Sequence, residues 1–154
     1  MEILKLYLKP ELLTEHKTNR LYQQWQTLLG SLGDKKISAK TAETINQEVE
    51  AINATSLRDK SLQNLLKVKQ TFILTLLEKE EKLVPKNHYR NRWLALGLSA
   101  FGLPLGVFFG LLLGNMGLIG IGLPIGMGIG IAVGTSMDKK AETEGRQLEM
   151  EIKY

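Results

Sequence analysis

The side chains able to do chemistry are few and scattered. The 154 residues hold two histidines, His16 and His88, and no cysteine. Without cysteine there is no disulfide, thiolate metal site or cysteine nucleophile. His16 falls in a charged helical stretch, and His88 lies in the basic run Lys86-Asn87-His88-Tyr89-Arg90-Asn91-Arg92; neither has a carboxylate partner at metal-ligand spacing. The sequence contains no GxSxG nucleophile motif and no GxxxxGK(S/T) phosphate loop. Asn53-Ala54-Thr55 has the form of a glycosylation sequon, but it lies in a stretch expected to stay cytoplasmic. The expectation is therefore no enzyme, with no catalytic residue, cofactor or metal. Residues 1–92 carry 16 Lys/Arg against 11 Asp/Glu, mixed along the same helices, a pattern that argues against nucleic acid as a partner.

What recurs at fixed spacing is glycine. Residues 102–114 read GLPLGVFFGLLLG and residues 122–134 read GLPIGMGIGIAVG, the same pattern offset by 20 residues. Gly102, Gly106, Gly110 and Gly114 form one ladder; Gly122, Gly126, Gly130 and Gly134 form the other. Residues four apart share a helix face, and glycines there let a second backbone approach closely. In a bilayer, burying leucine gives no reason to associate, so close van der Waals packing has to supply it. The opposite face of the second ladder is also small, with Gly120, Pro124, Gly128 and Ala132. The corresponding face of the first turns bulky, with Ala100, Pro104, Phe108 and Leu112. Phe101, Phe108, Phe109 and Leu111 to Leu113 are expected to face lipid. A second helix packed on two sides implies a homo-oligomer with residues 118–136 innermost, which bulky substitution at Gly126 or Gly130 would disrupt. The matched positions of Pro104 and Pro124 predict matched kinks, either fixed bends or hinges of a gate.

The element that carries these ladders is an uncharged run from Trp93 to Met137. About 20 apolar residues cross a bilayer core, so the run suffices for two crossings. They are read as 93–114 and 118–136 with a turn near 115–117. Arg90, Arg92 and Trp93 precede the first crossing, and Lys139, Lys140 and Arg146 follow the second. Positive charge on both flanks and none in the turn predicts that both termini are cytoplasmic, with Trp93 and Tyr89 in the headgroup layer. The flanking cations also suit membrane lipid. A re-entrant hairpin confined to one leaflet is the alternative topology.

Residues 1–90 are expected to form a cytoplasmic helical domain. Pro10 opens a helix reaching Leu29, with Gly30 as its stop. Ser38 caps a second, whose Ala42, Ile45, Val49 and Ile52 share one face. Ser56 and Asp59 resemble a capping box for a third, which carries Leu62, Leu65, Leu66, Phe72, Ile73, Leu76, Leu77 and Leu83 and ends at Val84-Pro85. The stripe is read as intramolecular core, with a coiled-coil seam as the other option. Three such helices suit a small antiparallel bundle. Residues 2–8 place Leu4, Leu6 and Leu8 on one face; 146–154 alternate Leu148, Met150, Ile152 and Tyr154 against Glu149, Glu151 and Lys153. The termini either pair as two strands, with Lys5 and Lys9 facing Glu149 and Glu151, or remain frayed or helical; both readings are open. The fold class is thus all-α: a cytoplasmic helical bundle, a transmembrane glycine-zipper hairpin and a cytoplasmic tail over 137–154.

GIGLPIGMGIGIAVG (120–134) resembles glycine-zipper membrane proteins and the glycine-rich helix of the ATP synthase c subunit, which implies ring-forming hairpins. A c subunit carries an intramembrane carboxylate, and no acid occurs between Trp93 and Met137, so proton coupling is not implied. GIAVGTSMDKKAETEGRQLE (130–149) is similar to the end of small bacterial glycine-zipper proteins, which implies a bacterial inner membrane. Two functions remain: a membrane anchor or scaffold that presents residues 1–84 to a protein partner, and a homo-oligomeric pore. In a pore, Ser99, Asn115, Thr135 and Ser136 are the polar lining candidates, and Asp138, Lys139 and Lys140 lie at the mouth.

Overall fold

The computed structural model describes residues 2–13, 15–115, 117 and 119–152. The chain is mostly helical, 74%, with one short parallel two-stranded sheet among the described residues. It divides into two compact units: one comprises the chain up to Pro85 and from Leu148 onward, the other Lys86–Gln147.

In the first unit, Pro10–Leu12 is a single 3-10 turn, and α1 spans His16–Leu32. The helix thus starts later than Pro10 predicts and runs through Gly30, ending at Gly33. A glycine inside a helix costs about 1 kcal/mol relative to alanine. Burial of Leu32, two residues beyond the glycine, offsets it. Helix α2, Ala39–Asn53, starts as its sequence predicts: Ser38 is the N-cap and its hydroxyl accepts the Thr41 N–H at 3.3 Å. Its four apolar residues Ala42, Ile45, Val49 and Ile52 are all buried. Helix α3, Asp59–Leu76, has Arg58 as its N-cap with no side-chain cap, so the Ser56 capping box does not form. Arg58 is extended and Leu57 N–H is bonded to Thr55 Oγ1 at 3.3 Å, which carries the helix start beyond the reach of Ser56.

Both α1 and α2 pack on α3. Trp25, Leu28, Ile45, Ile52, Leu62, Leu66, Ile73 and Leu77 fill the core, and the Trp25 indole donates to Leu66 O at 3.1 Å. The α3 stripe is therefore largely intramolecular core, but Leu65 is only half-buried and Phe72 lies 46% exposed. A π-helical turn, Leu77–Glu81, follows α3 and stops at Lys82, whose backbone is left-handed at φ 59°.

The strand prediction is half right. Strand β2, Gln147–Glu151, forms with Leu148 and Met150 buried, but it pairs with β1, Val84–Lys86, and not with residues 2–8. The backbone of residues 2–8 is extended yet already bonded elsewhere: side-chain amides of α2 take the N–H groups of Leu4 and Tyr7. Leu6 and Leu8 are buried, whereas Leu4 is exposed. Lys153 and Tyr154, also part of the strand expectation, lie outside the described residues.

The second unit is a helical hairpin. Its first arm is α4, His88–Leu96, a π-helical segment Gly97–Gly102, and α5, Leu103–Leu112. Its second arm is α6, Ile119–Thr143. Each arm is 25 residues of continuous helix, long and apolar enough to cross a membrane. Both arms extend past the uncharged run at its charged ends. Met116 and Leu118, in the expected turn and at the start of the expected inner helix, lie outside the described residues.

A glycine-packed hairpin as the candidate functional site

The inner face of α6 is a ladder of four-residue steps. Gly122, Gly126, Gly130 and Gly134 are buried against the first arm, where Gly97, Gly102, Gly106 and Gly110 are buried in turn. The two backbones nearly touch. A Cβ added at Gly122 or Gly126 would fall within 3.0 Å of Gly102 backbone, and one at Gly130 or Gly134 within 3.0 Å of Trp93 or Arg90 backbone. On the opposite arm, a Cβ at Gly97 would meet Gly126 O and one at Gly106 would meet Ile119 O, both within 3.0 Å. Gly102 is looser, with 3.3 Å to Gly122 O. These contacts are main chain to main chain, so no side chain can rotate away to make room. The glycine ladders are thus brought together inside one chain.

Gly114 is set apart from its ladder. It has φ 65°, and no atom lies within 4 Å of a Cβ placed there. It ends α5 in a Schellman motif, with Gly114 N–H on Leu111 O at 3.3 Å and Asn115 N–H on Gly110 O at 3.0 Å. Gly145, φ 68°, ends α6 the same way, with Arg146 N–H on Ala141 O at 2.8 Å.

Gly97 takes the fourth place in the packed face, and the sequence pattern misses it because it lies five residues before Gly102. The intervening π-helical segment explains this. An α-helix would rotate residue i+5 about 140° past residue i, whereas a π turn closes near that spacing. The extra residue holds Gly97 and Gly102 on one face. The same segment precedes Pro104, which has no N–H to offer and crowds the carbonyl four residues back. Leu103 N–H bonds Leu98 O across the π turn, and the Ser99 hydroxyl bonds Ala95 O at 3.0 Å. Pro124 instead sits within uninterrupted α-helix. The two prolines do not share a local geometry, which corrects the expectation of matched kinks.

Asp138, expected from the sequence only as a charge at a pore mouth, is instead a buried cap. It lies four residues beyond Gly134, the next step of the ladder, and is only 6% exposed. Its carboxylate accepts Tyr89 N–H at 3.0 Å and Arg90 N–H at 2.9 Å. These are orphan donors of the first turn of α4, and Asn87 at the N-cap makes no side-chain capping bond. A carboxylate on two backbone donors at the positive end of a helix is compensated by charge-assisted bonds and the macrodipole. Continuing the four-residue step past Gly134 would have found it.

The second small face lies open. Gly120 and Gly128 have no atom within 4 Å of an added Cβ, and Ala132 is exposed. Outward apolar side chains flank it, among them Ile121, Ile125, Met127 and Ile129, and on the first arm Phe101, Phe108 and Leu111 to Leu113. Arg90, Arg92, Lys139 and Lys140 are exposed at the charged end of the hairpin, with Trp93 half-buried. Lys140 pairs with Glu144 at 4.0 Å, a surface contact of little energetic weight. His16 starts α1 and His88 starts α4, so the two histidines belong to different units. No family model, curated protein or solved structure matches the chain.

Proposed function

We propose that this chain is an integral membrane protein whose hairpin anchors a helical interaction unit and self-associates through the open small-residue face of α6. The observation that carries the reading is the outward surface of the hairpin. The glycines of its inner ladders are consumed by the contact between the arms, and its large apolar side chains point away from that contact along both 25-residue helices. Such a surface is stable in hydrocarbon and costly in water. The basic residues at one end set the topology, with both termini cytoplasmic by the positive-inside bias. Membrane lipid, a second copy and a protein bound through residues 1–84 are the partners. The bacterial inner membrane is the compartment implied by the resemblance of the glycine pattern.

Two of the four polar lining candidates, Ser99 and Asn115, favour the anchor reading over a pore. The Ser99 hydroxyl bonds its own helix, and Asn115 Oδ1 accepts Gly117 N–H at 2.9 Å within the turn.

Mass in mild detergent tests the assembly. Gly126 packs within the chain, so its substitution disturbs the hairpin itself and is a poor probe of association. Gly128→Leu is the informative variant: wild type runs as a discrete oligomer and Gly128→Leu as a monomer with unchanged helical signal. A wild-type monomer overturns self-association. Cysteine introduced at Asn115 or at Lys139 tests topology in a chain with no native cysteine. Labelling of Asn115→Cys from outside and Lys139→Cys from inside is expected; both from one side overturns the crossing.

A further inference from the structure

The first unit holds a cavity of about 870 Å³ between residues 2–7, the second half of α1 and the α1–α2 connection. That size falls within the roughly 300–1,000 Å³ of small-molecule pockets. One wall is pinned from behind by α2. Asn46 accepts Leu4 N–H at 2.8 Å and donates to Glu2 O at 3.0 Å. Asn53 accepts Tyr7 N–H at 2.7 Å and donates to Lys5 O at 3.2 Å. Residues 2–7 are thus a fixed wall, and the cavity stands open without moving them.

The α1 wall is shaped by missing side chains. Tyr22, Gln26, Gly30 and Gly33 follow one another at steps of four, four and three residues, which places them on one helix face, and all line the cavity. Glycine inside a helix is disfavoured against alanine. Gly30 serves neither a left-handed turn nor a close approach: it lies within α1, and nothing beyond its own helical backbone comes within 4 Å of a Cβ placed there. What its missing side chain does is keep the cavity open.

The lining is ordered by depth. Leu6, Leu29 and Leu32 are buried, whereas Lys5 and Lys36 are exposed and Lys35 is half-buried. These three lysines face one lining carboxylate, Glu2; Asp34 is exposed and outside the lining. The C-terminus of α1 adds about half a negative charge, so the mouth stays cationic.

We propose that this cavity binds a single-chain amphiphilic anion, with its apolar chain against Leu29, Leu32 and Ile37 and its carboxylate or phosphate head among Lys5, Lys35 and Lys36. The chain leaves water for an apolar floor, and the head meets the lysines at the rim through charge-assisted hydrogen bonds. The ligand occupies existing space, so residues 2–8 keep their place. The inference is independent of the membrane reading, since every group it uses lies in the first unit.

The test uses the full chain in neutral-detergent micelles and a dansyl-labelled long-chain fatty acid. Saturable binding of one probe per chain is expected above the uptake of empty micelles. Gly30→Leu fills the cavity from a position with room for its Cβ and with better helix propensity, so it should keep the helical signal and bind at least about tenfold more weakly. Lys35→Glu with Lys36→Glu changes the rim and not the core, and should weaken binding by at least about tenfold as well. The matching dansyl-labelled fatty alcohol should bind wild type at least about tenfold more weakly than the acid. Unlabelled fatty acid and lysophosphatidate then compete for the probe, and the stronger competitor identifies the head as carboxylate or phosphate. Absence of saturable binding, binding that a folded Gly30→Leu leaves unchanged, or binding indifferent to the lysine changes each overturns the proposal. Equal affinity for acid and alcohol also overturns it, in favour of unspecific uptake of apolar chains.

Discussion

Asp138 Oδ2 accepts the backbone N–H of Arg90 at 2.9 Å, and Oδ1 accepts that of Tyr89, so the last buried polar step of one arm caps the first turn of the other. The contact lies where the glycine ladder stops. Up to Gly134 the arms approach by having no side chains; at Asp138 a side chain fills the same register and bonds the facing backbone. The ladder holds the arms close, and the carboxylate fixes their sliding position.

Removing that cap should loosen the hairpin at its charged end. Asp138→Ala is expected to lower stability by about 1–2 kcal/mol, the range for losing an N-cap. Asp138→Asn keeps an acceptor for one donor and should fall between. Thermal unfolding followed by circular dichroism in one detergent ranks the three chains; equal midpoints would exclude the capping role.

Glycines on the two faces of α6 should respond oppositely to the same change. Gly130→Ala places a methyl within 3.0 Å of Trp93 backbone and is expected to cost about 1–3 kcal/mol by overpacking. Gly128→Ala meets nothing within 4 Å and should be neutral or stabilise by up to about 1 kcal/mol through helix propensity. Unfolding of each variant in micelles dilute enough to hold one chain checks both.

The π-helical segment makes a prediction about deletions. Deleting Ala100 brings Gly97 and Gly102 to a four-residue spacing, which ordinary α-helix keeps on one face. The hairpin should retain most of its stability. Deleting Leu105, between Gly102 and Gly106, rotates the rest of the arm by about 100° and should break the packing. Comparable loss from both deletions would show that the extra residue has no register role.

Acid should weaken the start of α2. Glu81 accepts the Ser38 hydroxyl at 2.7 Å and the Ser38 N–H at 3.1 Å. Hydrogen bonds from Thr41 and then Ser38 hold its carboxyl below the ordinary glutamate value of 4.5. A depressed folded pKa stabilises above the unfolded value, and that gain is lost as pH falls through the folded one. The wild-type advantage over Glu81→Gln should thus be present at neutral pH and vanish on acidification below 4.5. Solvent screening keeps it small. Unfolding midpoints of the two chains across this range test the sign.

Local chemistry made much of this protein legible from its sequence. The charge-free run set the two long apolar arms, because length and hydropathy are sums over neighbours and need no partner. The four-residue glycine spacing identified the packing faces, and the Ser38 cap and the 3-4-3 stripe of α2 followed from helical periodicity. Tertiary structure decided what depends on which surfaces meet. It recruited Gly97 through a π turn, because a five-residue gap has no fixed meaning until the facing backbone selects a helix type. It made Asp138 a cap, because a lone acid gains that role only when a distant helix start is brought to it. It gave the backbone of residues 2–8 to Asn46 and Asn53 and left β2 to pair with β1, because an extended segment takes whichever donors and acceptors the packed core presents.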